Sequence, residues 1–183
     1  MIEYVLDSVW TVVDEILVIF RKQPSLELVE TIAPFGVKVA IDNRNRTDAS
    51  HSEGILSRVV VGMQACNSEN CLVATVSRPF LKPNVVFKLF EAVAGHDATI
   101  PKWADGRTEP LLSVYRKKPF LKAASRTQGS EIATVIDDLY AVAYVQIEEV
   151  LKPLDPDLLT FFRVKTDADF LTARRIASAQ EVR

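Results

Sequence analysis

Residues 72–90, LVATVSRPFLKPNVVFKLF, impose three conformations in succession. Leu72 to Val76 is an apolar run of strand length, bounded by turn residues. Ser77-Arg78-Pro79 breaks it with a polar corner. Pro83 then opens a helix, because proline's missing N–H costs nothing at the first helical position. A strand that ends in a polar corner and feeds a helix is where open α/β sheets hold their ligands.

The segments before this unit repeat its pattern. Met1 to Val13 carries Ile2, Val5, Leu6, Val9 and Val13 near a 3.6 period and reads as an amphipathic helix. Ile16 to Phe20 is a continuous apolar run, which suits a strand covered on both faces. Ser25 is placed to cap a second helix bearing Leu26, Val29 and Ile32, and Pro34 to Gly36 ends it. Val37 to Ile41 is another strand, and Asp42 stands at its C-terminal end. A polar loop, DNRNRTDASHSEG, separates it from a helix over Gly54 to Ala65, with Ile55, Val59, Gly62 and Met63 as the packing face. Strands that alternate regularly with helices predict an α/β, three-layer, Rossmann-like fold with a mostly parallel sheet.

The second half is less regular. Ala98 to Pro101, Leu111 to Tyr115 and Tyr140 to Ile147 read as strands, and Leu158 to Val164 as a last one. Pro119 to Arg126, Ser130 to Leu139 (capped by Ser130) and Asp167 to Ala179 read as helices. With 183 residues, the chain is expected to form one domain over 1–183.

Several function classes are excluded on charge and pattern. A net charge of −2 offers no electrostatic footprint for nucleic acid. The longest apolar runs fall far short of the ~20 residues of a membrane span. No charged-then-apolar leader opens the sequence, so the cytoplasm is the expected compartment. Cys66 and Cys71 form a lone C-x4-C without further ligands and read as structural. The six glycines never come close enough for a G-x-G-x-x-G turn or a P-loop, which argues against independent tight nucleotide binding.

Among groups that could carry chemistry, His51 in the polar loop and His96 in a turn read as solvated residues. Asp42 is the best-placed carboxylate, at a strand end on the ligand edge; a turn-forming role is the alternative. Glu109 precedes a strand in TEPLLSVYRK. Asp169 lies in the first turn of the last helix, where the helix dipole alone favours an acid.

Taken together, these motifs resemble the molybdenum cofactor guanylyltransferase family. Asp42 followed by Gly54-Ile55-Leu56 is similar to the family's strand-end Asp and Gly-Pro-Leu helix start. ATVSRPFLKP is similar to its Asp-x-Pro-Phe corner, TEPLLSVYRK to its Glu-Pro-Leu-x-x-Val-Tyr strand, and FFRVKTDADFLTAR to its closing segment. The resemblance implies a nucleotidyltransferase that moves GMP from GTP to molybdopterin with Mg2+ on the phosphates. It implies Asp42, Gly54 and Ser77 as nucleotide-binding residues, and Glu109 and Tyr115 as substrate-binding residues.

Two departures accompany the resemblance. Ser77 takes the place of the metal-binding aspartate, and a hydroxyl is a poor ligand for a hard cation. The family's first strand and Gly-rich loop have no counterpart, so the sheet is expected to close by pairing 15–20 with 71–76 directly, or to take a strand from a partner chain. That exposed edge would make a homo-oligomer. The implied enzyme is therefore expected to be impaired or inactive. The other reading is a non-catalytic relative that binds a nucleotide, a pterin or a protein partner.

Overall fold

A computed structural model of the chain describes residues 1–42, 53–127 and 131–181. The polar loop from residue 43 to His51, and Ser130 with its expected cap, lie outside the described residues. The elements follow in the order α1 (Ile2–Trp10), β1 (Leu17–Phe20), α2 (Leu26–Ile32), β2 (Lys38–Ile41), α3 (Glu53–Ala65), β3 (Asn70–Ala74), α4 (Pro83–Ala92), β4 (Ala98–Lys102), β5 (Leu112–Arg116), α5 (Lys117–Ala124), α6 (Ile132–Asp137), β6 (Val142–Gln146) and α7 (Asp167–Glu181).

Local chemistry accounts for several boundaries. The Ser25 hydroxyl accepts the backbone N–H of Leu28 at 3.3 Å and caps α2. A 3-10 turn over Ala33–Phe35 closes that helix, and Gly36, at φ 60°, takes the left-handed position that ends it. Pro83 occupies the first turn of α4, as its ring geometry favours. The helix α2 departs from its expected face: Ile32 is buried, whereas Leu26 lies in solvent.

The strands form two ladders. β1 and β2 pair in parallel. The larger sheet has the order β3-β5-β4-β6, with β5 antiparallel to both neighbours and β4 parallel to β6. Hence β3, β4 and β6 run the same way. Successive side chains of β5 point to opposite faces. Leu112 and Val114 pack with α1 and α4. Tyr115 packs with α3, α5 and α6. These two apolar clusters make the fold three-layered.

The expected direct pairing of 15–20 with 71–76 does not occur. Among the described residues β1 pairs only with β2, and β3 only with β5. The two sheets are tied by side chains and helices instead. Glu15, just before β1, accepts the backbone N–H of Asn67, just before β3, at 2.8 Å, and also the Asn67 side-chain amide. The same carboxylate pairs with Lys38 at the start of β2. Helix α3 lies across both: an added Cβ at Gly62 would sit 2.8 Å from the Ile19 side chain of β1, while Met63 joins the cluster around Tyr115. Only glycine allows the helix so close to β1.

The last expected strand is also absent. Leu159–Phe161 is a 3-10 turn entered through Leu158 at φ 51°. The donors there go to turn carbonyls, to the Ser77 carbonyl and to one side chain rather than to a ladder. The Asp155 carboxylate accepts the N–H of Thr160 at 2.7 Å, and the Thr160 hydroxyl accepts that of Lys82 at 3.1 Å. No helix among the described residues is long and apolar enough to cross a membrane.

The Glu15 hub makes stability depend on pH. Lys38 first, and then the Asn67 N–H, hold its carboxyl down at about 2, against an ordinary 4.5. A depressed carboxyl contributes stability above its unfolded value and loses it as pH falls through the folded value. Urea midpoints of the unaltered chain should therefore fall from pH 4.5 towards 2. Glu15→Gln should be less stable at neutral pH and lack that part of the acid slope.

Candidate functional site

The C-terminal ends of β3, β4 and β6 share one edge of the larger sheet, because those strands run together. Glu15 places the starts of β1 and β2 beside the start of β3, so Asp42, after β2, lies on that same edge. Two groups of side chains gather there.

The first surrounds the corner after β3. Arg78 is completely buried, and its guanidinium pairs with the carboxylate of Glu109. Glu109 Oε2 also accepts from Arg163 at 2.7 Å, and its Oε1 from the indole N–H of Trp103 at 2.9 Å. Burial lowers the Arg78 guanidinium to about 10, against the opposing pull of Glu109, so it stays charged at neutral pH. Its Nε has no hydrogen-bond partner among the described residues. The closing segment is bound to the corner by its backbone, since Val164 N–H donates to the Ser77 carbonyl at 2.8 Å. Ser77 itself is half-buried, with its hydroxyl 2.8 Å from that of Thr75.

The second group lies at the start of α3. The Asp42 N–H extends the β1–β2 ladder to the Phe20 carbonyl at 2.9 Å. Ser57 donates its hydroxyl to Asp42 Oδ2 at 2.8 Å. Gly54 forms part of the first turn, and the guanidinium of Arg58 folds back over it.

These positions sort the expected site residues. Asp42, Gly54 and Ser77 all lie on this edge. Tyr115 does not: it is fully buried, edge-on to Phe120 with ring centroids 4.9 Å apart, and its hydroxyl donates to the Pro110 carbonyl. Burial pushes that hydroxyl's pKa well up, so it remains protonated there. Glu109 likewise turns inward, its two oxygens taken by Arg78, Arg163 and Trp103. Both therefore shape the edge from behind instead of lining it. Arg78 and Arg163 are the partners of that buried carboxylate. A buried cation beside Pro79 and Phe80 had a signal in the apolar residues that flank it, but its acid lies 31 positions away.

Other readings fit. Asp169 accepts the N–H groups of Lys165 and Thr166, and Thr166 returns an acceptor to Asp169 N–H, a reciprocal cap of α7. Cys66 and Cys71 are unbonded neighbours, Sγ to Sγ 3.7 Å, and burial above all drives the Cys71 thiol up to about 12.

Among the described residues, the corner after β3 offers Mg2+ no free carboxylate. Among the described residues no three His, Cys, Asp or Glu side chains converge on a point. Ser77 supplies a neutral hydroxyl, and Glu109 has no oxygen left unengaged. Magnesium takes carboxylate oxygens in near-octahedral geometry.

The family model of the MobA-like NTP transferase domain matches residues 1–142. A protein of Methanosarcina mazei named a probable molybdenum cofactor guanylyltransferase is 32% identical over 176 residues, 92% of this chain and 75% of that protein. Among solved structures, the molybdopterin-guanine dinucleotide biosynthesis protein A of Archaeoglobus fulgidus superposes with a TM-score of 0.74 at 23% identity, over 97% of this chain and 85% of the other. A 2-C-methyl-D-erythritol 4-phosphate cytidylyltransferase from Thermus thermophilus gives 0.65 at 18% identity, over 97% and 88%.

Removing the acid from the corner tests how far the edge depends on it. Glu109→Gln leaves Arg78 buried with no opposite charge, which typically costs about 3–5 kcal/mol. Urea denaturation should show a loss of that size. The double replacement Arg78→Met with Glu109→Gln should be less damaging than the single one.

Proposed function

This chain belongs to the MobA-like NTP transferase domain family, and from that premise we propose that it is a guanine-nucleotide-binding relative of the molybdenum cofactor guanylyltransferases with impaired or absent transfer activity. The reaction implied for an active member is the transfer of GMP from GTP to molybdopterin. Asp42, after β2, is the residue for the guanosine part, held in place by Ser57. Gly54 keeps the first turn of α3 open beside it. Ser77 marks where the nucleotide meets the corner.

The observation that carries this reading is the chemistry of Ser77. Its hydroxyl pairs with Thr75, at the strand end where the resemblance calls for a carboxylate. Phosphoryl transfer of this kind depends on charge compensation at the phosphates, much of it through a bound metal. With no carboxylate at position 77, and Glu109 engaged by Arg78, Arg163 and Trp103, the metal has no anchor there, and a nucleotide can be held without being turned over.

Calorimetry with GTP, with and without Mg2+, tests this. The full chain should bind GTP with an affinity that Mg2+ changes little, and release no pyrophosphate in the presence of molybdopterin. Ser77→Asp should make binding clearly Mg2+-dependent. Rapid pyrophosphate release by the unaltered chain would overturn the impairment. An absence of heat at millimolar GTP would overturn nucleotide binding itself.

A further inference from the structure

The edge that carries Asp42 holds a cation without a partner among the described residues. Arg58 is half-buried on α3. Its Nη1 lies 2.8 Å from where a Cβ on Gly54 would stand, so the guanidinium rests in space that only glycine leaves open. It makes no hydrogen bond and no ion pair with any described residue. A guanidinium carries five N–H donors in a planar fork that matches phosphate oxygens. Leaving such a group part-buried and unpaired is costly, and burial, followed by repulsion from Arg21, lowers its proton affinity, while Asp42 opposes this.

Arg21 is close for a structural reason. It follows Phe20, whose carbonyl takes the N–H of Asp42, while Arg58 follows Ser57, whose hydroxyl holds the Asp42 carboxylate. Two cations therefore flank one acid that already accepts a hydrogen bond. Among the described residues there, cations outnumber acids, and they lie on the edge of the sheet where the nucleotide reading puts the ligand.

We propose that Arg58, seated over Gly54 and seconded by Arg21, contacts the phosphate groups of the bound nucleotide. It is a phosphate hold made of side chains. The inference rests on the nucleotide reading above for its ligand, but the anion site itself stands on Arg58, Arg21 and Gly54.

Titration calorimetry of the full chain with GTP, guanosine and inorganic pyrophosphate separates the two. Arg58→Gln should weaken GTP and pyrophosphate by about tenfold or more, as expected for the loss of a charge-assisted contact, and leave guanosine unchanged. Arg58→Lys should recover part of the loss, since it restores charge without the fork. Gly54→Ala, which displaces the guanidinium but keeps its charge, should weaken pyrophosphate as well. Thermal melts of each variant matching the unaltered chain establish that the fold is intact. Pyrophosphate bound equally by Arg58→Gln and the unaltered chain would overturn the proposal, as would equal weakening of GTP and guanosine. Arg58-dependent binding of pyrophosphate with no binding of GTP or guanosine would uphold the anion site and sink the nucleotide reading instead.

Discussion

The carboxylate of Glu109 is where the parts of this edge are joined. It receives Arg78 from the corner after β3, Trp103 from the end of β4 and Arg163 from the closing segment. A lone buried guanidinium at the Arg78 position would carry a desolvation cost that no apolar packing offsets. The acid makes that position tenable, and the corner can then turn inward at Pro79 and Phe80, both buried. The 3-10 turn at Leu159–Phe161 follows from the same arrangement, because the Thr160 carbonyl also faces Arg78. Two arginines on one carboxylate leave a net positive charge, and Arg163, the half-exposed member, carries it towards solvent. The same interaction therefore fixes the backbone of the edge and gives it its sign.

The body beneath that edge is assembled differently from a continuous sheet. In the larger sheet β4 and β5 lie inside the order β3-β5-β4-β6 and are buried almost throughout, whereas all four residues of β1 are half-exposed. A strand covered on both faces by helices can expose its residues only along an unpaired side, and β1 has one among the described residues. What keeps the small sheet in register with the large one is a layer of contacts that are not ladder hydrogen bonds. Glu15 bridges the strand starts, and α3 packs at Gly62 on β1 and through Leu56 and Met63 on the larger core. Side-chain ties of this kind are more sensitive to charge and pH than a backbone ladder is.

Most of the fold was legible because it is written in local patterns. The apolar run of β1, the Ser25 cap, Pro83 at the start of α4 and the apolar period of α1 each identify an element from a few adjacent residues. The sheet order was not legible in the same way. Nothing local distinguishes a strand that pairs with its sequence neighbour from one held beside it by a glutamate and a helix. The missing strand at 158–164 shows the same limit: its apolar residues fit a strand, but Asp155, the 3-10 turn and the Ser77 carbonyl take up its donors. At the site, Asp42 and Gly54 could be read from their place between strand and helix. Glu109 was chosen for its position before a strand, while its inward direction depends on partners 31 and 54 residues away. Arg58 carries a sequence signal, for it stands four residues after Gly54 on the same helix, the spacing at which a side chain reaches back over the preceding turn.

Ser77 and Arg58 bear on one electrostatic question from two sides. A polyphosphate needs its charge compensated wherever it binds. A carboxylate at the corner achieves this indirectly, by recruiting a dication that then faces the phosphates. With a hydroxyl there, the edge loses a negative charge, and the cations already present are no longer screened by it. Arg58, unpaired among the described residues, can then face an anion without competition from an acid at position 77. The hydroxyl at the corner and the cation on α3 therefore shift the charge of one edge in the same direction, towards an anion.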